Sequence, residues 1–141
     1  MSERVGYLLD TNVVSETRKK KADERVLLFL ESAEGSELYI SVLTLGELRK
    51  GVARKKLEDP EAAARLAGWV EGLEVSFADR IVGIDSAIAG LWGDWSGQRP
   101  RPVVDTLLAA TAVVHGFTLV TRNIRDVEDT PVKVLDPWKE I

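Results

Sequence analysis

The chain has 141 residues, of which 45% are hydrophobic and 30% charged, and a formal net charge of −4. That length and balance suit one globular domain, able to bury roughly 70% of its unfolded surface around a single core, and exclude an overall basic field that would draw in nucleic acid. With no cysteine and one histidine, disulfides, thiol nucleophiles, Cys/His zinc sites and the imidazole pair common in nucleases that use the RNA 2′-hydroxyl are excluded as well.

The elements are read in chain order. Val5 to Leu9 is an apolar run that predicts a buried strand, and Asp10-Thr11-Asn12 follows it directly. Asn12 is placed to cap a short helical turn through Val13, Val14 and Glu16, and Arg18 to Lys21 is a basic loop. Asp23 reads as the N-cap of a helix carrying Val26, Leu27, Phe29 and Leu30, ended by Gly35. Leu38 to Val42 is the second strand, and Thr44-Leu45-Gly46-Glu47 opens the next helix. Asp59-Pro60 starts another, with proline at a first helical position, running to Gly72. Ile81 to Ile84 is a short strand. Asp85-Ser86 starts a helix bearing Ile88, Leu91, Trp92 and Trp95, and the loop from Gly97 to Pro102 is enforced by its prolines. Val103 to His115 is a helix of small residues, Phe117 to Thr121 a strand, and Val132 to Leu135 the last strand, stopped by Pro137. Strands alternating with helices predict an α/β domain, a mostly parallel sheet flanked by helices, with no internal boundary over 1–141.

In open parallel sheets, chemistry collects beyond the carboxyl ends of the strands. Asp10 ends the first strand, Glu47 opens the helix after the second, and Asp105 opens the small-residue helix. Each has a plain structural reading: Asp10 as a turn acid, Glu47 as the far end of a Thr44-x-x-Glu47 capping box, Asp105 as a favourable charge at a helix start. Gathered at one rim, they read instead as ligands of a hard cation. Two carboxylates 4 Å apart repel by about 1 kcal/mol in water and about 4 kcal/mol at an effective dielectric of 20. Such a group persists with raised pKa values or with a bound cation, and carboxylates suit Mg²⁺ or Mn²⁺. Asn123 and Asp126, after the Leu119-Val120 strand, are candidates for a second metal or for holding water. Thr11, Asn12 and Thr121 are candidate donors that would orient Asp10. His115 reads as a helix-end cation, Asp85 as an N-cap, and Trp69, Trp92 and Trp95 as packing or interface residues; Trp138 pins the tail.

The segment Leu8-Leu9-Asp10-Thr11-Asn12-Val13-Val14-Ser15-Glu16 resembles the opening of a PIN domain. Thr44 to Gly51, Asp105 to Ala112, and Leu119 to Asn123 with Asp126-Val127 resemble the later motifs of that family, in the same order, and Val134 to Trp138 fits its close. The likeness runs the length of the chain and is nearest to the VapC toxins of VapBC toxin–antitoxin pairs, in particular the FitB-like branch. It implies a Mg²⁺- or Mn²⁺-dependent ribonuclease, with Asp10, Glu47 and Asp105 as catalytic metal ligands, neutralised by a VapB-type antitoxin and commonly homodimeric. Asn123 stands where many PIN domains carry Asp. The expected reaction is hydrolysis of an RNA phosphodiester by metal-activated water, leaving 5′-phosphates. Two other readings stand beside it: a catalytically silent binding module, favoured by Asn123, and a phosphotransferase with Asp10 as nucleophile, disfavoured by Asn12 where a second Asp is wanted. With no apolar stretch of 18 residues and a start, Met1-Ser2-Glu3-Arg4, unlike a signal peptide, the expected location is the cytoplasm, with no membrane contact.

Overall fold

The computed structural model describes residues 6–139. The chain start Met1 to Arg4, and Val5 of the expected first strand, lie outside them. Five short strands form one sheet in the order β3-β2-β1-β4-β5, and every pair is parallel. The strands are β1 (Tyr7–Leu9), β2 (Leu38–Ser41), β3 (Ile81–Val82), β4 (Thr118–Val120) and β5 (Lys133–Leu135). The helices are α1 (Thr11–Glu16), α2 (Glu24–Ser32), α3 (Val42–Glu58), α4 (Pro60–Ser76), α5 (Ser86–Gln98) and α6 (Val103–His115), with a 3₁₀ turn at Gly35–Glu37.

Strand alternation sorts the core into two layers. Leu9, Ile40 and Val120 point to one face, where they meet Val13, Val14, Val26, Leu48, Val70 and Trp138. Leu8 and Leu119 point to the other, against Ile88, Trp95, Leu108 and the alanines of α6. Ala109, Ala110 and Ala112 are fully buried, so the absence of long side chains lets α6 lie close to β1 and β4. The turn from α6 into β4 depends on glycine: Gly116 caps the helix at φ 73°, a left-handed conformation that costs a side-chain-bearing residue. His115 ends α6 and stacks on Phe117, as its place in the sequence implies.

Several boundaries differ from the sequence reading, each for a local reason. α3 begins at Val42, because the Ser41 side chain accepts from the Leu43 amide at 3.0 Å and caps the helix. Thr44 is therefore inside the helix and fully buried, and no capping box forms between Thr44 and Glu47. Asp10, not Asn12, occupies the N-cap position of α1. α2 ends at Ser32, before Gly35, and α4 runs on through Gly72 to Ser76. α5 extends to Gln98, so the expected loop shortens to Arg99–Pro102. Asp23, Asp59 and Asp85 cap α2, α4 and α5 as expected.

The strand order fixes where the site must be. The chain builds outward from β1 through β2 to β3, then returns to the other side of β1 as β4. The crevice at that reversal lies beyond the carboxyl ends of β1 and β4, the favoured place for ligands in open α/β sheets.

Candidate metal centre

Parallel register delivers the first pair of groups. Leu9 is opposite Val120, so Asp10 and Thr121 follow side by side at the sheet edge. The Asp10 amide donates to the Val120 carbonyl at 3.0 Å, which continues the ladder one residue past the strand. The Thr121 hydroxyl donates to Asp10 Oδ2 at 2.7 Å, and the Asn123 amide donates to Thr121 Oγ1 at 3.0 Å. Asp10 is buried, at 4% exposure, and Thr121 at 3%. Burial raises the Asp10 pKa, and the charge of Glu47 adds to the rise. The Thr121 hydrogen bond and the nearby Thr11 and Asn12 amides oppose it.

α3 and α6 bring the next two acids. Without a capping box, Glu47 is free to reach across to α1, where the Thr11 hydroxyl donates to its Oε1. Thr11 also lies 3.3 Å from the Thr44 hydroxyl. Asp105 sits half-buried in the first turn of α6. Its pKa is pushed up to about 6, first by burial and then by the negative charges of Asp10, Asp126 and Glu47. Acids from three other segments thus act on Asp105, and among the described residues no lysine or arginine offsets them there.

The roles assigned from sequence separate accordingly. Asp10, Glu47 and Asp126 are all brought within electrostatic reach of Asp105, and Glu47 within reach of Asp10. Asn123 acts through its backbone, as the last donor of the chain that runs to Asp10. Thr121 holds Asp10 through its hydroxyl, whereas Thr11 turns its amide to Asp10 and its hydroxyl to Glu47. Asn12 faces Asp10 with its amide, while Asp10, in the N-cap position, closes no side-chain cap on α1. Among the described residues, no three acidic or imidazole groups stand at ready ligating separation. The acids share a potential without meeting at a point, and part of the reason is that Glu47 is drawn aside by Thr11. The donor set still fits a hard divalent cation: all oxygen, mostly carboxylate, and repelling in its absence.

The other acids and bases near the rim are occupied. Buried Glu16 accepts the Asp23 amide at 2.9 Å and the Lys19 ammonium at 3.0 Å, which holds its pKa down and ties α1 to α2. Arg122 lies over the Trp138 ring at 3.8 Å, and Arg49 pairs with Glu74 at 2.8 Å. Arg99 and Arg101 both bind Asp129. An open groove of about 370 Å³ leads away from Thr11 and Glu47, between α1, α3 and α4, to Arg18, Leu66 and Trp69. Trp69 thus lines a groove, while Trp95 and Trp138 are buried. The groove was not legible in the sequence, because its walls come from three helices separated by loops.

Comparison with known proteins agrees with this fold. Toxin FitB of Neisseria gonorrhoeae is 30% identical over 138 residues, covering 94% of this chain and 99% of the relative. The VapC ribonuclease Y4jK of Sinorhizobium fredii is 30% identical over 141 residues, covering 94% and 97%. Among solved structures, the crystal structure of FitAcB from Neisseria gonorrhoeae matches with a TM-score of 0.85 and 31% identity, covering 95% of this chain and 99% of that one. The PIN domain profile matches residues 7–132. By that match, which takes in four of the five strands and all six helices and stops at the start of β5, the chain belongs to the PIN domain family.

Proposed function

We propose that this protein is a Mg²⁺- or Mn²⁺-dependent endoribonuclease, the toxin of a toxin–antitoxin pair, which hydrolyses RNA phosphodiester bonds. The observation that carries this reading is the site at Asp105, where burial and then three other acids raise a carboxyl to about 6, with no offsetting base among the described residues. Relatives that match nearly the full chain bear the names Toxin FitB and VapC ribonuclease Y4jK. A nuclease of this kind needs restraint in the cell that makes it, which supports a VapB-type antitoxin as protein partner. The family likeness supports a homodimer. Among the described residues, no helix is long and apolar enough to cross a membrane.

Asp10, Asp105 and Glu47 are the proposed ligands, with Asp126 beside them and Asn123 as the backbone donor behind Asp10. A divalent ion bound there would offset phosphate charge and lower the pKa of water. The chain's own residues prepare for that. Thr121 fixes Oδ2 of Asp10, so the carboxylate presents a defined edge. Thr11 holds Glu47 on the α1 side, close at hand but not committed. Asp105 gives up its proton near pH 6 and completes the negative charge of the rim. No general-base histidine is required, consistent with the one histidine lying at the far end of α6.

The separation of the acids favours one other reading, a PIN-fold binding module that holds metal too weakly to act. One experiment decides between them: RNA cleavage by the purified protein with Mn²⁺ and with chelator, run beside Asp10→Asn, with Mn²⁺ binding measured on both proteins. The nuclease reading expects cleavage that chelator stops and a loss of more than about 100-fold in Asp10→Asn. Mn²⁺ binding that is not saturable or does not depend on Asp10, with no metal-dependent cleavage, favours the binding module. Cleavage by Asp10→Asn at the wild-type rate overturns the proposed site.

A further inference from the structure

The acids of the rim repel, and two of the segments that carry them are joined by nothing in the sheet. Asp105 lies just after the Arg99–Pro102 loop, and Asp126 lies in the loop between β4 and β5. Between these two segments stands a cluster that the proposed chemistry does not use. Asp129 accepts from Arg101 Nη1 and Nη2, each at 2.9 Å, and from Arg99 Nε at 3.1 Å and Nη2 at 3.0 Å. Both guanidiniums therefore meet a single carboxylate through two-pronged contacts, the geometry in which such pairs are strongest and most directional.

We infer that Arg99, Asp129 and Arg101 form a positioning clamp that holds the Asp105 segment against the Asp126 loop, and so sets the spacing of these two acids for cation binding. The inference rests on the divalent-cation reading of the rim.

The surroundings of the cluster argue for positioning over ordinary surface pairing, which contributes little. The Arg101 side chain is only 2% exposed. Its remaining donor, Nε, goes to the Trp95 carbonyl in the last turn of α5 at 2.9 Å, where helix carbonyls lack partners of their own. Arg99 also reaches the carbonyl of Asp126 itself at 3.5 Å and that of Pro100 at 3.3 Å. Pro100 and Pro102 fix φ on either side of Arg101. Within the partner loop, Val127 is buried at 2% and packs into the α6-side core, and the Thr130 hydroxyl donates to the Val127 carbonyl at 2.6 Å. Both ends of the clamp are thus anchored, one to α5 and one to the core. The two acids sit four residues from Arg101 and three from Asp129 along the chain, close enough for a rigid clamp to resist their mutual repulsion. Fixing the ligands beforehand lowers what cation binding must spend on order, and supporting partners of metal ligands typically change affinity by about 10- to 100-fold.

The test uses the full chain and two readouts. Mn²⁺ affinity is measured by calorimetry, and amide hydrogen exchange is followed at 103–106 and 124–129. Asp129→Asn is expected to weaken Mn²⁺ binding by about tenfold and to speed exchange in both segments, while exchange in α3 and α4 stays as in the wild type. Asp129→Glu, which keeps the charge, is expected to recover part of the affinity. Should Asp129→Asn fail to fold, Arg99→Lys takes its place, since lysine keeps the charge but loses the two-pronged contact; the same changes are then expected on a smaller scale. Unchanged Mn²⁺ affinity, whatever happens to exchange or melting temperature, overturns the clamp as a positioning device. Lost affinity with unchanged exchange overturns it too. A wild-type protein with no Asp10-dependent Mn²⁺ binding removes the cation reading and this inference with it. That outcome is read from the wild type alone, so the two failures are distinguishable.

Discussion

Asp105 and Asp129 are the same residue type, on segments that the fold brings together, and they are held in opposite electrostatic states. Asp105 is half-buried among three other acids and carries a pKa of about 6. Asp129 is more open and receives two guanidiniums, with Arg101 first, which hold its carboxyl far below the usual range. One environment leaves charge unbalanced where a cation can be received; the other balances it where the backbone must be fixed. A carboxylate's role is therefore read from its neighbours, not from its identity or its distance from the site.

The sharpest way to break this contrast is to neutralise each acid in turn. Asp105→Asn is expected to lose metal-dependent cleavage by more than about 100-fold, and yet to raise the melting temperature of the metal-free protein above pH 6. Asp129→Asn is expected to lower that temperature, because the buried Arg101 would lose the carboxylate it pairs with. Thermal melts with chelator at pH 7.5 check both signs, and two shifts of the same sign would refute the contrast. Next in size, Thr121→Val removes the donor to Asp10 without changing the shape of the side chain, and is expected to weaken Mn²⁺ binding by about 10- to 100-fold in a calorimetric titration.

A pH series sharpens the same contrast. An acid whose pKa is raised on folding holds its proton longer in the folded state, so stability falls as pH rises between the two values. Metal-free stability is thus expected to decline from about pH 4 to about pH 6, and Mn²⁺ affinity to climb through the same interval as Asp105 ionises. Asp129 has the opposite shift, so its contribution still grows slightly just above pH 4 and levels off above about pH 5, once the unfolded chain's carboxyl has ionised. Denaturant melts with chelator at half-unit steps give the first curve and calorimetry gives the second. The smallest expected effect belongs to a region apart from both acids: Asp85→Ala removes the α5 cap that accepts the Ile88 amide at 2.9 Å, costing about 1 kcal/mol in denaturant melts.

Much of the site was legible because its acids sit at punctuation marks of the fold. Asp10 ends a strand and Asp105 follows a proline-enforced loop, and both places can be read from local residue order. Glu47 was legible as a candidate, but its capping box was not real. Ser41 caps α3 three residues before the expected start, a choice made by where β2 stops pairing with β3 at Val82. Asp126 could be named but not preferred over Asn123, since their division of labour depends on which group faces Asp105. The Asp129 clamp had no local signal, because its partners lie 28 and 30 residues away and obey no helix or strand period.

β1 and β4 are three residues each, yet their pairing decides which side chain stands next to Asp10. The sheet therefore works as a ruler with very few marks. An insertion of one residue in either strand would shift that ruler by one place and set Val120 or Arg122 beside the acid in place of the threonine. Lengthening α3 and α4 together at the tip where they meet, where Leu57 already stands in solvent, would leave the reading of the ruler untouched. Variation in chain length should thus be tolerated at the helical tips and refused within these six residues.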